Sequence, residues 1–205
     1  MELTGSSRTD AGVHAYQNYF HFDIERELSS QLVYNLNAIL PTDIAIKDLL
    51  KVKDNAHCRF DAVSREYKYH IYQKKDPFLT DKAFYFPYTL DIEAMQKAAF
   101  ILKEYSDFTS FSKRNTQVKS FVCDIKESRW VVQDQCLIYN VKANRFLRGM
   151  VRALTATMLN LGRRKVDLAA FRRIIETKDC TLANFSAPAH GLFLTEVCFP
   201  GNYFI

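Results

Sequence analysis

The sequence predicts an α+β fold in which a mainly antiparallel sheet is flanked by helices. Some segments alternate apolar and polar residues, as half-buried strands do, and others repeat apolar residues at helical spacing. Residues 121–141 resemble two strands joined by a turn near Gln133 to Gln135, which predicts an antiparallel hairpin. Repeating strand-helix-strand units, which would predict a parallel sheet, are few.

The strand over residues 63–72 has the clearest alternation. Tyr67, Tyr69 and Ile71 share one face, and charged or polar residues share the other. The pattern therefore predicts a strand that buries its aromatic face. The other predicted strands are residues 16–22, 44–52 and 192–199.

Helices are predicted where a capping residue precedes an apolar stripe. Ser29 or Ser30 caps the first helix, and Pro41 ends it. Asp91 caps a second helix, and Asp167 begins the last one.

A further helix is predicted over residues 145–162. Its apolar residues form one stripe, while Arg145, Arg148 and Arg152 form another on the roughly opposite side. We therefore expect one face of this helix to pack against the protein and the other to present positive charge.

Composition narrows the class of protein. The 205 residues are 48% hydrophobic and 25% charged, which is typical of a folded globular chain. A net charge of +5 and a pI near 8.9 suit a polyanionic partner without requiring one. The five cysteines are odd in number and form no CxxC pair, so they predict neither a disulfide framework nor a zinc site and favour a reducing cytoplasm. No apolar run approaches the roughly 18 residues of a membrane span.

Residues 5–15, GSSRTDAGVHA, could carry chemistry. Gly5 and Gly12 permit a positive φ, so the loop between them could direct the carboxylate of Asp10 into a cleft beside cationic neighbours. An ordinary Asx turn entering a strand explains the same residues, because Asp and Gly are common in turns. Local physics alone leaves both interpretations open.

This stretch resembles the signature of the bacterial tRNA pseudouridine synthase A family, in which a Gly-rich loop carries Arg-Thr-Asp and then Gly-Val-His-Ala. Further resemblances follow in the expected order, and they span nearly the whole chain. They are the Arg-Tyr strand at residues 65–69, the basic segment at residues 144–152 and the closing Gly-Leu-Phe-Leu strand at residues 191–194. Ser7 stands where the family usually has glycine, which we expect to stiffen the loop.

The resemblance implies a role for individual residues. Asp10 would be the catalytic carboxylate, acting either by attack on the ribose carbon or by abstraction of a sugar proton. Arg152 and Tyr67 would be the other catalytic residues. Arg152 would pair with Asp10, and Tyr67 would stack on the target base and take part in proton transfer. The implied substrate-binding residues are Arg8, Thr9, His14, Leu192, Arg145 and Arg148. Arg8 would enter the space left by the extruded nucleotide or contact a phosphate, and His14 would position the loop.

The resemblance also implies an organisation and a substrate. The expected pseudouridine synthase fold has its active-site cleft between two half-domains, residues 1–60 and residues 61–205, and needs no cofactor or metal. The substrate would be uridine at positions 38 to 40 in the anticodon arm of tRNA, and the enzyme a cytoplasmic homodimer. The family has a strand and a helix ahead of the loop, so we expect the first half-domain to be incomplete here.

Two alternatives stay open at this level. A catalytically inactive, truncated tRNA-binding fragment of the same family would carry the same motifs. A hydrolase that uses Asp10 with a second carboxylate is less favoured, because no second acid lies in a comparable motif.

Overall fold

A computed structural model describes residues 2–25, 28–29, 31–114 and 118–205. Its strands are β1 (Thr4–Gly5), β2 (His14–Ala15), β3 (Phe20–His21), β4 (Ser64–Tyr72), β5 (Phe84–Tyr85), β6 (Ile125–Gln133), β7 (Cys136–Ala143) and β8 (Leu192–Cys198). Its α-helices are α1 (Leu32–Ile39), α2 (Ile92–Ile101), α3 (Met150–Gly162) and α4 (Leu168–Glu176). Among these described helices, none is both long enough and apolar enough to cross a bilayer.

The main sheet has the strand order β2-β8-β4-β7-β6, with β5 paired to β4 beside this path. Strand β4 lies at its centre and pairs antiparallel with β7 and β8. The hairpin β6–β7 is also antiparallel, whereas the two-residue strands β2 and β5 pair parallel. The long strands therefore confirm the predicted antiparallel sheet, and β1 and β3 form a separate pair.

Burial along β4 follows the predicted alternation. The side chains of Tyr67, Tyr69 and Ile71 belong to the main core with exposures of 9%, 0% and 0%. Helices α2, α3 and α4 pack together over this side of the sheet, and α2 contacts β6 while α3 contacts β4. Burying aromatic area on the helical side is the main driving force for this packing.

The predicted caps at Asp91 and Asp167 and the predicted hairpin turn are confirmed. The carboxylates of Asp91 and Asp167 accept hydrogen bonds from Ala94 N and Ala170 N, and so satisfy free N–H groups at the starts of α2 and α4. Asp134 and Gln135 turn the hairpin with φ of 49° and 65°. Local side-chain and turn chemistry sets these boundaries.

The chain before β4 departs from two strand predictions. Residues 16–22 contain only the two-residue strand β3, and Tyr16 and Phe20 are more than half exposed. Residues 44–52 form no strand, and only Val52 makes an isolated bridge, to Phe204. The strand predictions from aromatic and apolar patterns were wrong here, because a strand also needs a neighbouring strand to pair with. The pattern does not show whether one is present.

Helix α1 exists, and Ser29, one of its two predicted caps, accepts a hydrogen bond from Gln31 N through its side-chain Oγ at 3.2 Å. The residue before the helix is Gln31, which makes no side-chain cap, and the backbone carbonyl of Ser29 accepts from Leu32 N. Ser30 lies outside the described residues. The helix ends at Ile39, ahead of Pro41 as expected.

The helix predicted over residues 145–162 begins later than expected. Gly149 has a φ of 75°, in the left-handed region, and α3 starts immediately after it. Arg145 and Arg148 therefore precede the helix, and only Arg152 of the three lies on it. The prediction of a three-arginine helical stripe was wrong because the glycine breaks the helical geometry.

The backbone of Gly191 packs closely against the central strand β4. A Cβ at this position would lie 2.9 Å from the ring atoms of Tyr69 and 3.1 Å from the carbonyl of His70. Both neighbours belong to the central strand, so neither can move freely.

We expect Gly191→Ala to lower the free energy of unfolding by about 1–3 kcal/mol through overpacking. Urea unfolding followed by the fluorescence of Trp130, the single tryptophan, measures this. Gly201→Ala is the matched control, because a Cβ there meets nothing within 4 Å. Equal stability of the two variants would contradict the steric explanation.

Candidate active site

The loop that carries Asp10 is held at both ends. On one side Ser6 N donates to Tyr19 O at 2.7 Å, and on the other His14 begins strand β2, paired with β8. Gly12 has a φ of 78°, and Val13 N donates to Asp10 O across the turn. The loop therefore projects Asp10 from a fixed base.

Only one of the two loop glycines uses a positive φ. Gly5 does not; a Cβ there would meet the ring of Phe20 at 3.0 Å, so close packing explains the glycine. Ser7 is half-buried, and its hydroxyl has no hydrogen-bond partner within the described residues.

The carboxylate of Asp10 forms an ion pair with Arg152. Arg152 Nη1 lies 2.7 Å from Asp10 Oδ2, and the side chains are 18% and 26% exposed. Arg152 Nε donates to the carbonyl of Ala187 at 2.6 Å, which fixes the guanidinium plane. A charge-assisted hydrogen bond in a partly desolvated site orients the carboxylate as well as balancing its charge.

A second cation lies near the same oxygen. Lys113 Nζ is 3.8 Å from Asp10 Oδ2, and this side chain is 38% exposed. No sequence motif indicates this contact, because Lys113 lies outside every motif considered and far from Asp10 along the chain.

Arg65 holds the loop in place through hydrogen bonds to backbone carbonyls. This buried side chain donates to the carbonyls of Ser6, Arg59, Ala62 and Asn144. Burial is the first cause that lowers the pKa of its guanidinium. Four carbonyl acceptors replace the lost hydration, so Arg65 has a structural role that its place in the Arg-Tyr motif did not disclose.

Tyr67 follows Arg65 on β4 and is buried. Its ring meets Phe146 edge-on at 5.1 Å. Burial raises the pKa of the Tyr67 hydroxyl, the neighbouring Ser7 hydroxyl and the charge of Arg65 oppose this rise, and the nearby charge of Asp10 adds to it. A neutral phenol beside the carboxylate is the result.

His14 and Leu192 lie at the junction of the loop with the sheet. The His14 ring stacks on Phe193 at 4.5 Å, and its Nε2 lies 2.8 Å from Asp81 O. These contacts suit the predicted loop-positioning role. Leu192 is 6% exposed and pairs with Tyr69 across the sheet.

The remaining predicted binding residues are solvent-accessible. Arg8, Thr9 and Arg148 are exposed, and Arg145 is half-buried. Arg59, which sequence reasoning missed, joins them: burial first, and then the neighbouring charges of Arg8 and Arg145, lower the pKa of its guanidinium. Within the described residues, no ion pair neutralises this cluster of arginines, residues 8, 59 and 145.

Part of the basic surface farther along the chain is already paired. Arg164 contacts Asp91, and Arg172 makes two hydrogen bonds to Glu104. Arg163 stacks over the ring of Tyr88 at 3.7 Å. Ion pairs or ring stacking therefore already engage these three arginines.

Comparison with known proteins decides the family. A sequence model described as tRNA pseudouridine synthase matches residues 103–200. A protein named tRNA pseudouridine synthase A from Azobacteroides pseudotrichonymphae is 45% identical over 205 residues, which cover 100% of this chain and 82% of that protein. The chain belongs to the tRNA pseudouridine synthase family.

Other relatives of this family support the same assignment. Proteins with the same name from Parabacteroides distasonis and Staphylococcus aureus are 44% and 38% identical, over 100% and 98% of this chain and 82% and 77% of their own lengths. The family is one of isomerases, and the observed mixed fold agrees with it.

We expect Arg65→Lys to lower the free energy of unfolding by at least about 3 kcal/mol, since each hydrogen bond to a charged group contributes about 1.5–3 kcal/mol and lysine cannot serve four carbonyls. Urea unfolding and limited proteolysis of the 6–13 loop measure the effect. Arg129→Lys is the control, because that arginine side chain is 56% exposed on β6 and should change stability by less than about 0.5 kcal/mol. A loss no larger than the control's would show that Arg65 does not anchor the loop.

Proposed function

We propose that this protein converts uridine to pseudouridine in the anticodon stem-loop of tRNA, with Asp10 as the catalytic carboxylate. The observation that carries the proposal is the ion pair of Asp10 with Arg152 at 2.7 Å, beside the buried phenol of Tyr67. Family membership gives the reaction, and the geometry supports the assignment of these residues to it.

The reaction rearranges one nucleotide. The bond from uracil N1 to ribose C1′ breaks, the base turns, and a bond from C5 to C1′ forms while C5 loses a proton and N1 gains one. Asp10 carries out the step at the sugar, by attack on C1′ or by removal of a sugar proton. Both routes need an ionised carboxylate with a free lone pair. Within the described residues only Oδ2 has charged partners, which leaves Oδ1 to face the ribose.

Arg152 holds that carboxylate ready for reaction. The Ala187 carbonyl fixes the guanidinium, so little reorganisation is needed when RNA covers the site and excludes water. Electrostatic interactions strengthen on water exclusion, which makes a preset partner more effective than a mobile one.

In this proposal, one set of residues contacts the extruded uracil and another residue fills the gap that the uracil leaves in the base stack. Tyr67 stacks on the extruded uracil, and Leu192 contributes an apolar wall. Arg8 enters the vacated stack, as its exposure in the loop permits. His14 holds the base of the loop through Phe193 and Asp81, and the exposed Thr9 contacts the RNA.

The arginine cluster and Arg148 bind backbone phosphates of the tRNA. Like charges held together without an acidic partner repel, and a polyanion relieves that repulsion. We further propose a cytoplasmic homodimer with a cleft between half-domains at residues 1–60 and 61–205. The family resemblance noted in the sequence is the support for this organisation.

We expect Asp10→Asn to abolish turnover while tRNA affinity stays nearly unchanged, because the substitution removes the charge and keeps the shape. Transcripts of tRNA labelled with tritium at uridine C5 release tritium to water when the C5 bond forms, which measures turnover. Replacing uridine by cytidine at the proposed positions locates the reaction.

The exposed Asp43 supplies the control variant Asp43→Asn, which should keep full turnover. Binding without turnover in the unmodified chain would identify a tRNA-binding fragment instead of an enzyme. Release of free uracil would identify a hydrolase.

We expect Arg152→Gln to lower kcat by about 100- to 1000-fold, the usual effect of losing one preorganised charge-stabilising donor. Single-turnover tritium release measures this, with Arg129→Gln as the control for loss of a positive charge. A variant with normal kcat and weakened binding alone would overturn the assignment of Arg152 to the carboxylate.

A further inference from the structure

Lys113 reaches the site from a segment that no motif marks. It follows the turn Thr109–Phe111, in which Phe111 is fully buried and Ser110 Oγ donates to Ile174 O at 2.5 Å. Lys113 N then donates to Arg148 O at 3.1 Å. The backbone of Lys113 is therefore fixed against the segment that leads into α3.

The side chain of Lys113 crosses Gly149. A Cβ on that glycine would lie 3.2 Å from the Cγ and Cε atoms of Lys113. The absence of a side chain at position 149 leaves a channel for the lysine methylenes, which end with the ammonium beside Asp10.

The two cations at Asp10 differ in how firmly they are held. Arg152 donates from Nη1 to Asp10 and from Nε to Ala187, and is 18% exposed. Lys113 Nζ is 3.8 Å from Asp10, beyond hydrogen-bond distance, and its side chain is 38% exposed. Within the described parts of the chain its ammonium donates no hydrogen bond. Arg152 is therefore the firmly held partner of Asp10. Lys113 lies at the solvent-exposed edge of the site, and its N–H donors are available to another acceptor.

We propose that Lys113 is a substrate-positioning residue that binds a backbone phosphodiester of the target nucleotide. The inference rests on the proposed function, because a ribose held against Asp10 brings its own flanking phosphates to this rim. An ammonium on a flexible stem is a compact point charge suited to such an anion. On RNA binding it exchanges its loose contact with Asp10 for the phosphate, while Arg152 keeps the carboxylate in place.

The test compares the unmodified chain with Lys113→Met, Lys113→Arg and the control Lys97→Met. Lys97 lies on α2 and pairs with Glu93. Its helix meets the far end of α3, where Met95 contacts Gly162, roughly 15 Å from Arg152 along the helix axis. Fluorescence anisotropy with a labelled anticodon stem-loop RNA gives Kd over a KCl series, and tritium release gives kcat and KM.

We expect Lys113→Met to reduce the slope of log Kd against log salt by about 0.7, and to weaken binding about fivefold at about 0.1 M KCl, the contribution of one phosphate contact to a single strand. KM should carry the loss, Lys113→Arg should restore the slope, and Lys97→Met should match the unmodified chain.

An unchanged salt slope in Lys113→Met, or a loss confined to kcat, would overturn the proposal and leave Lys113 as a partner of Asp10 alone. If Lys113→Met shows the expected slope change but the unmodified chain never turns over, the enzymatic function is wrong and the phosphate contact stands. A chain that binds no RNA would sink both.

Discussion

The ion pair between Asp10 and Arg152 is the constraint on which the site depends, and it joins residues 142 positions apart in the chain. Each partner is placed by a different device: a turn at Gly12 presents the carboxylate, and the start of α3 presents the guanidinium. They meet only because β2 pairs with β8, beside the central strand on which α3 packs. The sheet therefore acts as the scaffold that converts two local motifs into one chemical unit.

Local sequence features predicted the parts of the fold that local physics controls. The alternation in β4, the caps at Asp91 and Asp167 and the hairpin turn all follow from side-chain periodicity or a single hydrogen bond. The errors occurred where a distant partner or the backbone conformation of a single glycine decides the structure. Residues 44–52 look apolar enough for a strand but find no sheet edge, and the basic helix starts late because Gly149 adopts a positive φ. The Asp10 motif was visible through its resemblance to a family, whereas the approach of Lys113 depends on tertiary packing alone.

The arginines around the loop show why residue type alone could not predict role. Arg65 is buried and bonded to carbonyls from four residues, so its charge serves the architecture. Arg59 contributes one of those carbonyls while its own guanidinium lies among other cations. Arg172 is occupied by Glu104. Neighbouring basic residues therefore have three different roles. Some bind backbone carbonyls inside the protein, some form ion pairs at the surface, and some are available to bind an anion. Only the three-dimensional arrangement distinguishes them.

The bond from Arg152 to the Ala187 carbonyl has a consequence for biosynthesis. A ribosome delivers the Asp10 loop early, but the arginine that orients its carboxylate comes much later, and the carbonyl that steadies the arginine later still. Because domains emerge N-terminal end first, a nascent chain carries the recognisable motif long before it can hold the acid in a working position. The oriented ion pair can therefore form only after synthesis has passed Ala187.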